Sequence, residues 1–387
     1  MTLHDFSHDI DRRGTESVKW TFYGEDVLPM WVADMEFGAP DAVIEAVRAR
    51  LEHPVFGYQE DSRGLREAIA AWQAARYGWQ VDPDWIIMLP GLVAGLNLVA
   101  HVIGEPGDGI VVTPPIYPPF LGVCVNQHRE RQDAPLILQR EGSRLHYALD
   151  ADALRAAVTP RTRLMLFCNP HNPAGRVFTR AELEQVAELC LQHNLMLCSD
   201  EIHAELTFSG SQHIPLASLS PEIAARSITL VAPSKAFNIP GLGCAAAIIP
   251  DAELRQRFRM AKFTFGMLTN VLGYAAGEAA YRHGGDWLEA LLKHLEGNRD
   301  AVVEFVGTHM PGVAVTRPEA TYLSWLDFRE VGIEKPAAFF LEHARVALND
   351  GATFGQGGAG FARLNFGCSR AMLMEGLGRL EAALSAR

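Results

Sequence analysis

Five short apolar runs punctuate the middle of the chain: Gly109–Thr113, Arg163–Cys168, Leu195–Ser199, Ser227–Ala232 and Cys244–Ile249. Each reads as a buried strand, with helical periodicity between them at Val93–Ile103 and Thr179–His193. The second helix opens on a capping box, Thr179 followed by Glu182. Strands that alternate with helices need crossover connections. The pattern therefore predicts an α/β fold, a mostly parallel central sheet flanked by helices.

The last third reads differently. Ala252–Phe265, Val271–Arg282 and Trp287–Met310 are helical, Thr321–Asp327 and Phe361–Phe366 read as strands, and Ala337–Leu348 and Ala371–Ala383 read as helices. This predicts a smaller α+β domain beyond the His283-Gly284-Gly285 break. The expected division is an N-terminal arm over residues 1–40, a large domain over 41–284 and a small C-terminal domain over 285–387. The arm has no clear period, but its Trp20, Phe22, Met30, Trp31 and Phe37 need a surface to pack on.

Charge narrows the partners. The 46 acidic residues outnumber the 34 basic ones, for a net −12, which disfavours nucleic acid and anionic membranes because both attract basic faces. No stretch approaches the roughly 20 apolar residues of a membrane span. The polar start MTLHDFSHDIDRRG lacks the apolar core of a signal peptide, so a cytoplasmic enzyme is expected. The six cysteines form no CxxC unit and sit mostly in apolar stretches, as reduced core residues do. With no HExxH motif either, no metal site is expected.

Four clusters follow strand patterns or open helices. Lys235 lies in Ala232-Pro233-Ser234-Lys235-Ala236-Phe237-Asn238. Ligands of open α/β sheets bind beyond strand carboxyl ends, and a desolvated lysine there can form a Schiff base; an ordinary surface lysine would fit the same pattern. Asp200, in Ser199-Asp200-Glu201-Ile202-His203, either caps a turn or pairs with a protonated ring nitrogen. Asn172 sits in a turn forced by Pro170, Pro173 and Gly175, as a structural residue or a donor to a phenolate oxygen. Pro90-Gly91-Leu92-Val93 opens a helix whose free N–H groups can hold a phosphate or simply mark helix entry.

Together these clusters resemble the fold-type I pyridoxal-5′-phosphate (PLP) enzymes, the aspartate aminotransferase superfamily, across essentially the whole chain. DRRGTESVKW, PMWVADMEF, SDEIH, PSKAFNIPGLG, EATYLSWLDF and RLNFGCSR bring the resemblance closer to the cystathionine β-lyase-like C–S lyases. The resemblance implies a PLP cofactor on Lys235, which also acts as general base, with Asp200 on the pyridine nitrogen and Asn172 on the phenolate. It implies Tyr117 stacked on the ring, His203 beside it, and Gly91, Leu92, Val93 and Ser234 at the phosphate. Tyr58 would reach the phosphate from a neighbouring subunit, which implies a homodimer with shared sites. Arg363 would fork onto the substrate α-carboxylate, and the backbone around Ala33 would close over the substrate.

Two departures from the wider superfamily matter. His203 stands where many aminotransferases have tyrosine, and Gly243 stands where they have a phosphate-binding arginine. Both resemble the C–S lyase subgroup. The implied reaction is α,β-elimination on L-cystathionine or another cysteine S-conjugate, giving a thiol, pyruvate and ammonia. The alternatives are an aminotransferase using the same residues and, since some relatives also bind a transcriptional regulator, an additional regulator-binding role.

Overall fold

The computed structural model describes residues 4–387; the first three residues of the arm lie outside the described residues. The central sheet has seven strands, in the spatial order Ile86–Leu89, Ala245–Ile248, Ser227–Val231, Met196–Asp200, Thr162–Cys168, Gly109–Val112 and Glu130–Asp133. Ala245–Ile248 is antiparallel to both its neighbours, and the remaining strand pairs are parallel. Four of the seven strands have every residue buried, and Met196–Asp200 and Thr162–Cys168 each have a single residue that is not. Burial on both faces follows from helices on either side and explains the continuous apolar runs.

The helices lie where the pattern places them. Leu92–Val102 follows the first strand. Arg180–Gln192 opens on the Thr179–Glu182 capping box, with both reciprocal bonds formed. Ala252–Thr264, Val271–His283 and Gly285–His309 succeed one another, and Gly284 joins the last two. All six cysteines are free and buried. Among the described residues, no helix is long and apolar enough to cross a membrane.

A second sheet has six strands, in the order Asn349–Asp350, Phe361–Asn365, Leu323–Asp327, Ala314–Thr316, Arg144–Ala148 and Ile137–Glu141. Its last two strands come from the middle of the chain, a hairpin for which the apolar pattern predicts no strand. Ile137–Glu141 alternates between exposed and half-buried residues, too polar a signal to register. The hairpin joins the C-terminal strands by parallel pairing of Arg144–Leu145 with Val315–Thr316. The helix expected over Ala337–Leu348 stops at His343. Arg345 turns into left-handed backbone at φ +52°, and Val346–Ala347 becomes a strand beside Leu28–Pro29 of the arm.

The arm is tied down by polar contacts. Lys19 is buried with its Nζ 2.5 Å from the Glu36 carboxylate, and Arg12 makes paired bonds to Asp34 at 2.7 and 2.9 Å. Pairing of this kind offsets the cost of burying a charge. The Trp20 indole N–H donates to Glu36 at 2.9 Å. This knot fixes the segment from Trp31 to Phe37 over the carboxyl ends of the central strands.

Candidate active site

Strand direction assembles the site. Leu89, Val112, Cys168, Asp200 and Val231 end strands that share one direction, so the loops after them converge on one edge of the sheet. Those loops carry Gly91, Tyr117, Asn172, His203 and Lys235. A cavity of about 340 Å3 opens there, lined by Gly91, Leu92, Val93, Tyr117, Asn172 and Asp200, and also by His203, Ser234, Lys235 and Ala33 of the arm. Ten of the twelve residues expected at a site thus face a single cavity.

The other two lie elsewhere. Arg363, on the strand Phe361–Asn365, sits directly behind Asn172 and donates to its Oδ1 at 2.9 Å. Its other nitrogen donates to Asn349 at 2.7 Å and to the Trp31 carbonyl at 3.3 Å. Among the described residues no carboxylate pairs with it, although it is buried. Desolvation pushes its pKa down to about 10, so it remains a cation at neutral pH and needs an anion. Tyr58 is 98% exposed, takes no part in this cavity, and has Val55 and Phe56 exposed beside it.

Lys235 is half-buried, its amine open to the cavity. Nζ donates to the Ala33 carbonyl at 2.6 Å. Desolvation, reinforced by the Arg363 charge and opposed by Asp34 and Asp200, lowers its pKa to about 8. Asp200 ends its strand with one oxygen accepting from the Ile202 N–H at 3.1 Å. It therefore caps a turn and also faces the cavity. Burial raises its pKa to about 7, the response expected of a buried carboxylate without a cation in contact. Burial drives the His203 pKa well down, with Lys235 and Arg363 adding to the effect, so the ring is neutral. His171 is buried, its ring nitrogen 3.4 Å from the Thr113 carbonyl, and is pushed down to about 4; it belongs to the turn.

The empty-handed donors match a phosphorylated pyridine aldehyde. The first N–H groups of the helix Leu92–Val102 have no partner within it, and a Cβ built on Gly91 would meet nothing within 4 Å. That open space beside free N–H groups and Ser234 suits a phosphate. Asn172 spends its carbonyl oxygen on Arg363, which leaves its Nδ2 donors for the cavity. Gly243 also lines the cavity and sits at φ +56°, and a Cβ there would lie 3.2 Å from the Pro90 carbonyl. The backbone thus favours glycine where a long cationic side chain might otherwise stand.

Residues 25–380 match the class I and II aminotransferase family. The chain belongs to that family. It is 42% identical to cystathionine beta-lyase PatB of Bacillus subtilis (strain 168), over 98% of this chain and all of that protein. The crystal structure of OvoB superposes with a TM-score of 0.93 at 41% identity, covering 99% of this chain and all of that one. Cystalysin from Treponema denticola, whose structure contains pyridoxal 5′-phosphate, gives a TM-score of 0.94 at 34% identity, covering 99% of each chain. The fold is therefore the fold-type I PLP-dependent one that the sequence motifs imply.

Three residues near the cavity have no role assigned from sequence. Asn238 accepts from the Met35 N–H at 2.9 Å and donates to the carbonyls of Met35 and Phe37 at 2.9 and 2.7 Å. Asn365 donates to Val32 and Asp34 at 2.5 and 2.7 Å. Tyr322 donates to Ala33. All three sit inside the motifs PSKAFNIPGLG, RLNFGCSR and EATYLSWLDF, but their partners are backbone atoms of a distant arm, which no motif displays.

Proposed function

We propose that the chain is a PLP-dependent carbon–sulfur β-lyase that cleaves L-cystathionine or another cysteine S-conjugate to a thiol, pyruvate and ammonia. One observation carries this reading. The depressed amine of Lys235, the buried Asp200 carboxylate and the open helix start at Gly91–Val93 meet in one cavity. Bound there, pyridoxal phosphate supplies an electron-poor ring that takes up the electron pair left on the substrate α-carbon.

The residues divide the work. Leu92, Val93 and Ser234 would hold the phosphate, Tyr117 would pack on the ring, and Asn172 would donate to its phenolate. Asp200 would accept the ring N–H as a carboxylate, and that positive partner would offset the burial which raises its pKa. His203, neutral, fills the wall beside it. Arg363 binds the substrate α-carboxylate, which supplies the anion that this buried cation lacks. Lys235, with its lowered pKa, would remove the substrate α-proton at Nζ. The Ala33 segment covers the reacting atoms and excludes water. The sulfur then leaves the β-carbon as thiolate, and the aminoacrylate left behind, once released from the cavity, takes up water to give pyruvate and ammonia.

The elimination is favoured over transamination by the 42% identity to a cystathionine β-lyase along the full chain and by Gly243 in left-handed backbone at the cavity wall. Purified protein given L-cystathionine is expected to release thiol and pyruvate with no keto-acid acceptor. Keto acid formed only when an acceptor is added would replace this reading by the aminotransferase one. On the same reading the arm (1–40) closes over the large domain (41–284) and small domain (285–387) of a cytoplasmic homodimer. The exposed Tyr58 supports this, as a residue free to reach a neighbour's phosphate. Sedimentation is expected to give a dimer, and a monomer with full activity would reject that arrangement.

A further inference from the structure

The carbonyl oxygen of Ala33 receives two side-chain donors. Lys235 Nζ lies 2.6 Å away and the Tyr322 hydroxyl 2.8 Å away. A carbonyl oxygen has two lone pairs, so this acceptor is filled while the lysine amine is free. Tyr322 is buried, and its ring meets His203 edge-on at 6.4 Å between centroids. The residue before it, Thr321, is buried at φ +76°, left-handed backbone that a β-branched residue rarely adopts. Thr321 is held there by its N–H donating to the Leu206 carbonyl at 3.0 Å and by its hydroxyl accepting from the Leu323 N–H at 3.2 Å. The chain therefore keeps an uncommon conformation that aims the Tyr322 hydroxyl at the oxygen holding Lys235.

We propose that Tyr322 is a positioning residue for Lys235, acting through the Ala33 carbonyl. The inference rests on the cofactor reading above. When the lysine amine bonds to an aldehyde carbon, with loss of water, it must let go of Ala33. With Tyr322 present the carbonyl keeps one donor; without it a buried carbonyl is orphaned, which opposes the release. When the amine is freed again, the same oxygen takes it back at a fixed place. It also accepts from the ammonium that forms once the α-proton has been removed.

The test is a double-mutant cycle between Tyr322 and Lys235, read by binding of pyridoxal phosphate to apoprotein. Tyr322→Phe keeps the ring against His203 and removes only the donor. It is expected to raise the half-saturating cofactor concentration about tenfold, to lower kcat, and to leave KM nearly unchanged. In the Lys235→Ala background, where binding is non-covalent, the same substitution is expected to change the affinity less than about twofold. Should Tyr322→Phe fold poorly, Thr321→Gly loosens the aim of the hydroxyl and is expected to give an intermediate loss. Equal losses in both backgrounds would make Tyr322 a packing residue, and no loss in either would remove its role; both overturn the proposal. A wild-type protein that forms no covalent absorbance band would instead overturn the cofactor reading itself.

Discussion

The lowered pKa of Lys235 makes covalent loading of the apoprotein strongly pH-dependent. An ordinary lysine near 10.5 is only roughly 0.03% neutral at pH 7, whereas one at about 8 is roughly 9% neutral, about a 300-fold gain in nucleophilic amine. The dominant cause is desolvation, with the unpaired Arg363 cation adding to it. The rate at which apoprotein captures pyridoxal phosphate, followed by stopped-flow absorbance, is therefore expected to rise about tenfold per pH unit below 8 and to level off above it. Arg363→Met removes a neighbouring positive charge and is expected to move the midpoint upward. A wild-type rate that keeps climbing through about pH 10 without a plateau would show an unperturbed amine, and the account of Lys235 as a desolvated base would fail.

Asp200 gives the opposite kind of dependence. Its folded pKa of about 7 lies above the 3.8 of an ordinary aspartate, so the folded apoprotein binds more protons than the unfolded chain, and stability falls as pH rises from about 4 to 7. Asp200→Asn is expected to raise the apoprotein's melting temperature at pH 8, by up to ~4 kcal/mol of stability, while weakening cofactor binding; equal melting of both proteins at pH 8 would count against it. Arg363→Met is expected to lower kcat/KM by about 100-fold or more with the cofactor absorbance unchanged, as steady-state kinetics would show. Asn238→Ala removes three hydrogen bonds to the arm and is expected to cost ~2–3 kcal/mol in denaturant unfolding and to expose the arm to limited proteolysis.

Much of this was legible in the chain because burial on both faces leaves a strong mark. The five apolar runs correspond to strands within a residue or two at each end, and Thr179 with Glu182 forms the expected cap. An apolar run carries no direction, however, so the antiparallel course of Ala245–Ile248 was not readable. The hairpin Ile137–Ala148 was hidden by its polar, half-exposed faces. The run Ile86–Leu89, only four residues long and directly ahead of Pro90-Gly91, was also missed. At the cavity, Lys235, Asp200 and Asn172 were findable because turn chemistry and strand ends place them. Tyr322, Asn238 and Asn365 act on carbonyls of the arm about 200 to 330 positions away in the chain, and such backbone partners leave no pattern in sequence.

The central claim is that Lys235 carries the cofactor and performs the proton transfer. The chain has five lysines, and of these only Lys235 lines the cavity. Reduction of the holoprotein with borohydride, followed by digestion and mass spectrometry, is expected to place a pyridoxyl group on the peptide containing Lys235 and on no other. A label on Lys19, Lys262, Lys293 or Lys335, or no label in a protein that still releases pyruvate from cystathionine, would contradict the account.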